Sequence, residues 1–107
     1  MSYDIWLTID TGGPEHATVT ESRNMTSNVA PMWRLAGADL ADYHGRIAAD
    51  CLPELRAAIA DMEDHPSRYR PLNPENGWGS YETCLRFLRE LQVDFASHPK
   101  ATVQVSR

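Results

Sequence analysis

Two polar segments of the chain carry side chains that are suited to recognising a small molecule. Residues 24–34 supply amides, a hydroxyl, a tryptophan and an arginine, and residues 73–78 supply further amides and a tryptophan. Amide groups pair with the edges of a polar ligand, an indole stacks on a planar ring, and a guanidinium pairs with phosphate or carboxylate. The predicted ligand-binding residues are Asn24, Thr26, Asn28, Trp33, Arg34, Asn76 and Trp78.

Two of these residues also have a purely structural interpretation. Trp33 could be an anchor of the hydrophobic core, because large aromatic side chains are mostly buried in globular domains. Trp78 lies between Gly77 and Gly79, and it could simply fix its loop to the domain. The sequence leaves both alternatives open.

The spacing of the ionisable residues does not indicate a catalytic centre or a metal site. The chain has no His-x-x-x-His or Cys-x-x-Cys pair and no nucleophile-elbow or phosphate-loop motif. His65 and His98 precede prolines at predicted helix ends, where capping explains them. Cys51 and Cys84 are predicted to be reduced core thiols, with a disulfide or a catalytic thiol as the alternative. We expect a non-catalytic protein without a cofactor or metal.

The acidic residues of the first predicted strand do not change this expectation. Asp4 and Asp10 share a face of the strand, but six residues at about 3.3 Å each separate them by roughly 20 Å, too far to share a proton or a metal. Asp10-Thr11-Gly12 matches the active-site tripeptide of aspartic proteases. Those proteins are nearly all β, whereas the second half of this chain is helical, so we interpret the tripeptide as part of a hairpin turn.

These side chains must be positioned by a small α+β domain. Residues 3–10, YDIWLTID, alternate strictly between apolar and other side chains, which predicts a half-buried strand. A turn at residues 10–15 leads into a Thr-rich second strand at residues 17–22, and residues 100–106 form a third. The predicted fold is a β-hairpin plus a C-terminal strand in a small sheet, with two long helices packed on one face.

Periodic apolar residues predict the two long helices. The first covers residues 48–64. Pro53 fits within the first turn if Asp50 is the N-cap, and otherwise the helix is kinked at Pro53. The second begins after Ser80 and stops at His98.

Between the strands and the long helices, the chain is predicted to be mostly irregular. Residues 24–28 are predicted to be a polar loop that ends in the N-cap of a short helix, at Ser27 or Asn28. Residues 38–46 and 66–72 are each predicted to hold at most one helical turn.

The sheet face opposite the helices is predicted to be an interface. Trp6 would lie on that face, because its neighbours Ile5 and Leu7 claim the core side of the strand. A tryptophan on an otherwise Thr-rich face is typical of a contact surface. The predicted interface residues are Trp6, Thr8 and Thr20.

Composition restricts the classes of partner. Ten Lys and Arg against 15 Asp and Glu give a net charge of −5, and the basic residues are scattered, so nucleic acid is not an expected partner. No secretory signal pattern is present, and no apolar run approaches the roughly 20 residues that span a bilayer. We expect one cytoplasmic domain that does not enter a membrane.

Three segments together resemble a group of small proteins carried by phages and prophages. They are YDIWLTIDTGG, TSNVAPMW and LNPENGWGSYETCLRFL, followed by HPKATV, and they extend over nearly the whole chain. The resemblance implies a phage-encoded protein that acts in a bacterial cytoplasm, in host take-over or counter-defence. It implies no particular activity.

Two hypotheses about function follow. In the first, the protein binds a small polar, nucleotide-like molecule between the two segments and so sequesters a host signal. In the second, it is an inhibitor or adaptor that docks on a host protein through the Trp6 face, with its acidic surface steering the encounter. The Trp6 face could alternatively form a homodimer.

Overall fold

Strand β1, Ser2–Asp10, is the centre of a four-stranded antiparallel sheet. The structure is a computed structural model that describes residues 1–14 and 16–107, so Glu15, at the end of the predicted first turn, lies outside it. The other strands are β2, His16–Thr18, β3, Arg23–Thr26, and β4, Thr102–Ser106. All three pair with β1 and with none of the others.

The register places β2 and β3 end to end along one edge of β1. Thr8 pairs with both Thr18 and Thr102, and Asp4 pairs with both Asn24 and Ser106, so β4 occupies the opposite edge along its length. The predicted hairpin is therefore confirmed, but its returning strand is interrupted. At the interruption, the Thr20 Oγ1 hydroxyl accepts a hydrogen bond of 2.9 Å from the Leu7 backbone N–H.

The outer edge of β4 is covered by the segment that precedes the first long helix. The Gly45 N–H donates to the Val103 carbonyl, and the Val103 N–H donates to the Arg46 carbonyl, both at 2.8 Å. The Val105 N–H donates to the His44 Nδ1 atom at 3.0 Å. The groups that a sheet edge normally leaves open are thus paired within the chain.

The helices are α1, Ala30–Leu35, α2, Ala48–Asp64, α3, Pro66–Tyr69, and α4, Tyr81–Ser97. Short 3₁₀ turns lie at Ser27–Val29, Leu40–Tyr43 and Arg70–Leu72. The long helices α2 and α4 match the predictions, and the α+β class with helices on one sheet face is confirmed. Within the described ranges, no helix is long and apolar enough to cross a membrane.

The core lies between the odd-numbered face of β1 and the helices. Tyr3, Ile5 and Leu7 are buried against apolar side chains of α2 and α4, whereas Ile9 is exposed beyond the helical layer. Cys51 and Cys84 are free thiols in this core. Burial raises the pKa of both, that of Cys84 to about 12, because a thiolate is poorly solvated there.

Three local predictions are wrong: the loop at residues 24–28, the cap of the turn that follows it, and the N-cap of α2. Residues 23–26 form β3 and not a loop, since the start of β1 offers an open edge for pairing. Thr26, and not Ser27 or Asn28, caps the turn that follows, because its Oγ1 accepts from the Asn28 N–H at 3.3 Å. Helix α2 begins at Ala48, two residues before the predicted cap.

The early start of α2 leaves Pro53 inside the helix. The first N–H groups of α2 do not need a side-chain cap. The Ala48 N–H donates to the Ala101 carbonyl at 2.8 Å, and the Ala49 N–H donates to the Pro99 carbonyl at 2.9 Å. The backbone that leads into β4 thus satisfies donors that a polar cap would otherwise satisfy.

An ion pair fixes β3 to α4. The Arg23 guanidinium donates two hydrogen bonds to the Asp94 carboxylate, at 3.0 and 3.1 Å, and the Asp94 side chain is only 12% exposed. A charge held this far from water depends on its partner, because an unpaired buried carboxylate is poorly solvated.

We predict that Arg23→Met destabilises the protein by about 2 kcal/mol, because it leaves the Asp94 charge without a partner. Arg89→Met is the matched control: it removes a 2.7 Å pair with Glu63 whose two side chains are about half exposed, and it should cost under about 1 kcal/mol. Urea unfolding measures both. Equal losses would contradict the role given to the Arg23 pair.

Candidate functional site

Five of the seven predicted ligand-binding residues line one cleft, which we call the Asn/Trp pocket. It has a volume of about 510 Å³. The first residues of the chain and the two predicted segments, the first of which includes most of β3, meet around it. That volume lies within the range of small-molecule sites. Its lining residues are Met1, Ser2, Asn24, Thr26, Asn28, Asn76 and Trp78.

The Trp78 loop is built by its amide and glycine residues. The Asn76 Oδ1 atom accepts from the Trp78 backbone N–H at 3.0 Å, which closes a tight turn around Gly77, whose φ is 76°. The Trp78 side chain is 70% exposed, so it does not fix the loop by entering the core. Its ring faces solvent at the pocket and is free to stack on a planar group.

Gly79 brings this loop against the opposite wall of the pocket. Its φ is 93°, and a Cβ built on it would lie 2.7 Å from a Val29 methyl and 2.8 Å from the Thr26 methyl. Only glycine allows both this backbone conformation and this separation. The close approach is what brings Trp78 next to Thr26 and Asn28.

The amide side chains of the pocket are partly committed to holding it together. The Asn24 Nδ2 group donates to Asp4 Oδ1 at 2.9 Å and to Ser2 Oγ at 3.2 Å. The Asn28 Nδ2 group donates to the Trp78 carbonyl at 3.5 Å. These bonds orient the side-chain amides and leave the Oδ1 atoms of Asn24 and Asn28 as acceptors for a ligand.

The ligand-binding role predicted for Trp33 is wrong. Its side chain is 0% exposed and packs edge-on against Tyr3, with ring centroids 4.9 Å apart, and also against Phe87 at 6.0 Å. Trp33 is a core anchor, the structural alternative left open by the sequence. In the described part of the chain its indole N–H has no hydrogen-bond partner.

Arg34 lies beside the Asn/Trp pocket and not in it. It lines a second cleft of about 440 Å³, which we call the arginine cleft, together with Met1, Ser2, Tyr3, Ser27, Ala30 and Arg107. Met1 and Ser2 are common to both clefts. Asn73, the other amide of the second segment, is structural, because its Oδ1 accepts from the Tyr81 N–H at the start of α4 at 2.8 Å.

Sequence reasoning missed Met1 and Ser2. The missing signal was the pairing of residues 23–26 with the start of β1, which puts Ser2 opposite Thr26 and Asp4 opposite Asn24. With residues 24–28 interpreted as a loop, nothing placed the first residues of the chain near Asn24.

Two of the three predicted interface residues, Trp6 and Thr8, lie on the open face of the sheet, meaning the face opposite the helices, whereas Thr20 lies between β2 and β3. Trp6 is half-buried in a shallow depression with Asp4, Thr18, Ser22 and Ser106. Thr8 is buried, and its hydroxyl accepts from the Gln104 Nε2 group at 3.0 Å. The Thr20 hydroxyl is used by the Leu7 N–H, so both threonine hydroxyls already have partners within the sheet.

Elsewhere, the densest group of ionisable side chains closes the end of α2. The Asp61 carboxylate accepts from the Tyr69 hydroxyl and from Arg68, and His65 lies 3.4 Å away. The Tyr69 hydrogen bond lowers the pKa of Asp61, and burial raises the pKa of Tyr69 to about 12. The cluster joins α2 to α3. Over residues 1–14 and 16–107, no three metal-binding side chains converge.

Comparison with models of known protein families, with curated proteins and with solved structures gave no match for this chain. The two clefts and the open face are therefore the features of the molecule from which a function can be inferred.

We predict that Gly79→Ala destabilises the protein by about 2–4 kcal/mol, because it combines a strained φ with contacts that overpack two methyl groups. Gly77→Ala is the matched control: its φ is also positive, but nothing lies within 4 Å of the added Cβ, so about 1 kcal/mol is expected. Thermal unfolding compares them. Equal destabilisation would contradict the close approach described at Gly79.

Proposed function

We propose that the protein is a non-catalytic module that binds a small polar, nucleotide-like ligand in the Asn/Trp pocket. One observation carries the proposal: two segments about 50 residues apart in the chain, chosen for their ligand-recognising side chains, meet at a single cleft. Exposed Trp78 offers a stacking surface, and the Asn24 and Asn28 side chains offer acceptors for the edge of a polar ring.

The pocket chemistry favours a planar polar ligand over an apolar one. Except for Met1 and Trp78, every lining residue has a polar side chain, and Trp78 is mostly exposed. A nucleobase or a similar heterocycle would stack on the indole and pair with the amides, and base–aromatic stacking contributes about 1–3 kcal/mol. The resemblance to phage and prophage proteins supports a role in sequestering a host signal in the bacterial cytoplasm, as host take-over or counter-defence.

A second candidate function is favoured by the open face of the sheet. None of the even-numbered side chains of β1 joins the hydrophobic core in the described residues, so the helical layer leaves Trp6 available from this side. The acidic Asp4 borders the Trp6 depression. These features support docking of a host protein, or of a second copy of this chain, around Trp6.

We predict that Trp78→Ala lowers affinity for the ligand at least about tenfold, because it removes the stacking surface. The protein would be purified from bacterial cells and weighed by native mass spectrometry, and the mass of any adduct would identify the ligand. Val93→Ala, which also removes an exposed apolar side chain, is the control and should keep the adduct. An adduct that survives Trp78→Ala at full occupancy would contradict this site.

We predict that Trp6→Ala leaves that adduct in place and abolishes any co-purifying protein or homodimer, since Trp6 is not among the residues that line the Asn/Trp pocket. The same mass spectra report both. The three indole N–H signals in ¹⁵N NMR spectra then show where each contact forms. A shift of the Trp78 signal reports binding in the pocket, a shift of the Trp6 signal reports binding on the open face, and the signal of buried Trp33 is the internal reference. A partner retained by Trp6→Ala would argue against the docking hypothesis.

A further inference from the structure

Among residues 1–14 and 16–107, the lining of the arginine cleft includes no acidic side chain, although the chain as a whole carries a net charge of −5. Its lining includes two arginines, Arg34 and Arg107, and two serines, Ser2 and Ser27. A concave surface of this composition attracts an anion and repels a cation.

The Arg34 guanidinium is oriented but not neutralised. Its Nη2 group donates to the Tyr3 hydroxyl at 3.2 Å, and Tyr3 is itself held in the core against Trp33. Its nearest carboxylate, Asp39, is 3.9 Å away, and both side chains are about half exposed, so that pair contributes little. Most of the five N–H donors of Arg34 remain available for a planar, bidentate partner.

Arg107 differs from the arginines that serve the fold. Arg23, Arg68, Arg70 and Arg89 each pair with a carboxylate, whereas Arg107 has no such partner among residues 1–14 and 16–107. Arg34 and Arg107 therefore both line one cleft, and within the described residues carboxylates do little to neutralise their positive charges. Phosphate and carboxylate groups are the anions whose oxygens match this arrangement.

The two clefts adjoin at the start of β1. Met1 and Ser2 line both, and Ser2 makes contact through Asn24 with the polar wall of the Asn/Trp pocket. A ligand with its ring in the Asn/Trp pocket could therefore extend past Met1 and Ser2 into the arginine cleft.

We infer that the arginine cleft is the subsite for the anionic group of the ligand whose planar part lies in the Asn/Trp pocket. The ligand class is then a planar heterocycle that carries a phosphate or carboxylate group, of which a nucleotide is one example. This inference rests on the proposed function for the ring and adds to it the position and charge of the second group.

The test is a ¹⁵N NMR titration at constant ionic strength, with sodium chloride as the blank. The probes are pyrophosphate, succinate, the four common ribonucleosides and their 5′-monophosphates. We expect pyrophosphate to shift the Arg34 Nε–H signal, and at least one monophosphate to bind about tenfold or more tightly than its nucleoside while shifting both the Arg34 and Trp78 signals. A larger succinate effect would assign the site to carboxylates.

Arg34→Gln should remove the advantage of the monophosphate and leave nucleoside affinity within about twofold. Arg56→Gln, which removes an exposed arginine of α2 away from both clefts, is the control and should keep the advantage. Arg34→Lys keeps the charge without the planar fork, so an intermediate loss is expected. Thermal unfolding of all three variants shows whether a loss reflects the site or the fold.

The outcomes separate this inference from the proposed function. If nucleosides shift the Trp78 signal and no anion shifts that of Arg34, the inference is overturned and the proposed function stands. If anions shift Arg34 while no nucleoside or nucleotide shifts Trp78, the proposed function and the shared ligand both fail. If Arg34→Gln and Arg56→Gln weaken monophosphate binding equally, the effect is one of overall charge, and the inference is overturned.

Discussion

The pairing of β1 on both of its edges is the constraint on which the rest of the molecule depends. One strand supplies the partner for β2, β3 and β4, and no other strand pair exists in the described sheet. Its side chains Tyr3, Ile5 and Leu7 form the floor of the core, and its even-numbered ones lie on the open face. Because a register change of one residue would exchange the two faces, the hydrophobic pattern and the hydrogen bonds must agree. Both clefts form at the start of this strand, where Ser2 pairs with Thr26 and β3 ends.

The Asn/Trp pocket is a consequence of that arrangement and of a single close approach. Strand β3 delivers Asn24 and Thr26 to the edge of the sheet, and the cap at Thr26 turns the chain toward α1. The loop before α4 reaches the same place because Gly79 lets its backbone contact the Thr26 and Val29 side chains. The Arg23–Asp94 pair joins the same strand to the same helix from the core side. Separate interactions of different kinds thus hold the two walls at a fixed distance.

The long elements were predictable from the sequence because their signals are local and repeated. Helix-spaced apolar residues, with Ser80 before α4 and prolines after both helices, predicted the 17-residue helices α2 and α4. Strict alternation of apolar and other side chains predicted β1. Two of the failures, at β3 and at the start of α2, share one cause, which is a partner distant in sequence. Strand β3 contains too few apolar residues to be recognised alone, and it exists because β1 offers it an edge. Helix α2 starts early because carbonyls about 50 residues later accept its first N–H groups.

The candidate site was predictable by residue chemistry and not by geometry. Amides and an indole in glycine-rich loops indicated Asn24, Asn28, Asn76 and Trp78, but chemistry alone could not distinguish an exposed tryptophan from a buried one. Trp33 and Trp78 have the same side chain and opposite environments, since one follows Pro31 in a helix facing the core and the other sits between two glycines with positive φ. The composition of a loop suggests what it could bind, and burial decides which of its residues can.

The segment at residues 44–47 has a consequence for how copies of this protein meet at high concentration. It occupies the outer edge of β4 with backbone and imidazole partners, so that edge cannot recruit a strand from another chain. The opposite edge consists of two short strands separated by an irregular stretch, which gives a template of only a few residues at a time. Neither edge of the sheet therefore offers a long open strand to a neighbouring molecule, and such a strand is the usual template for strand-by-strand assembly.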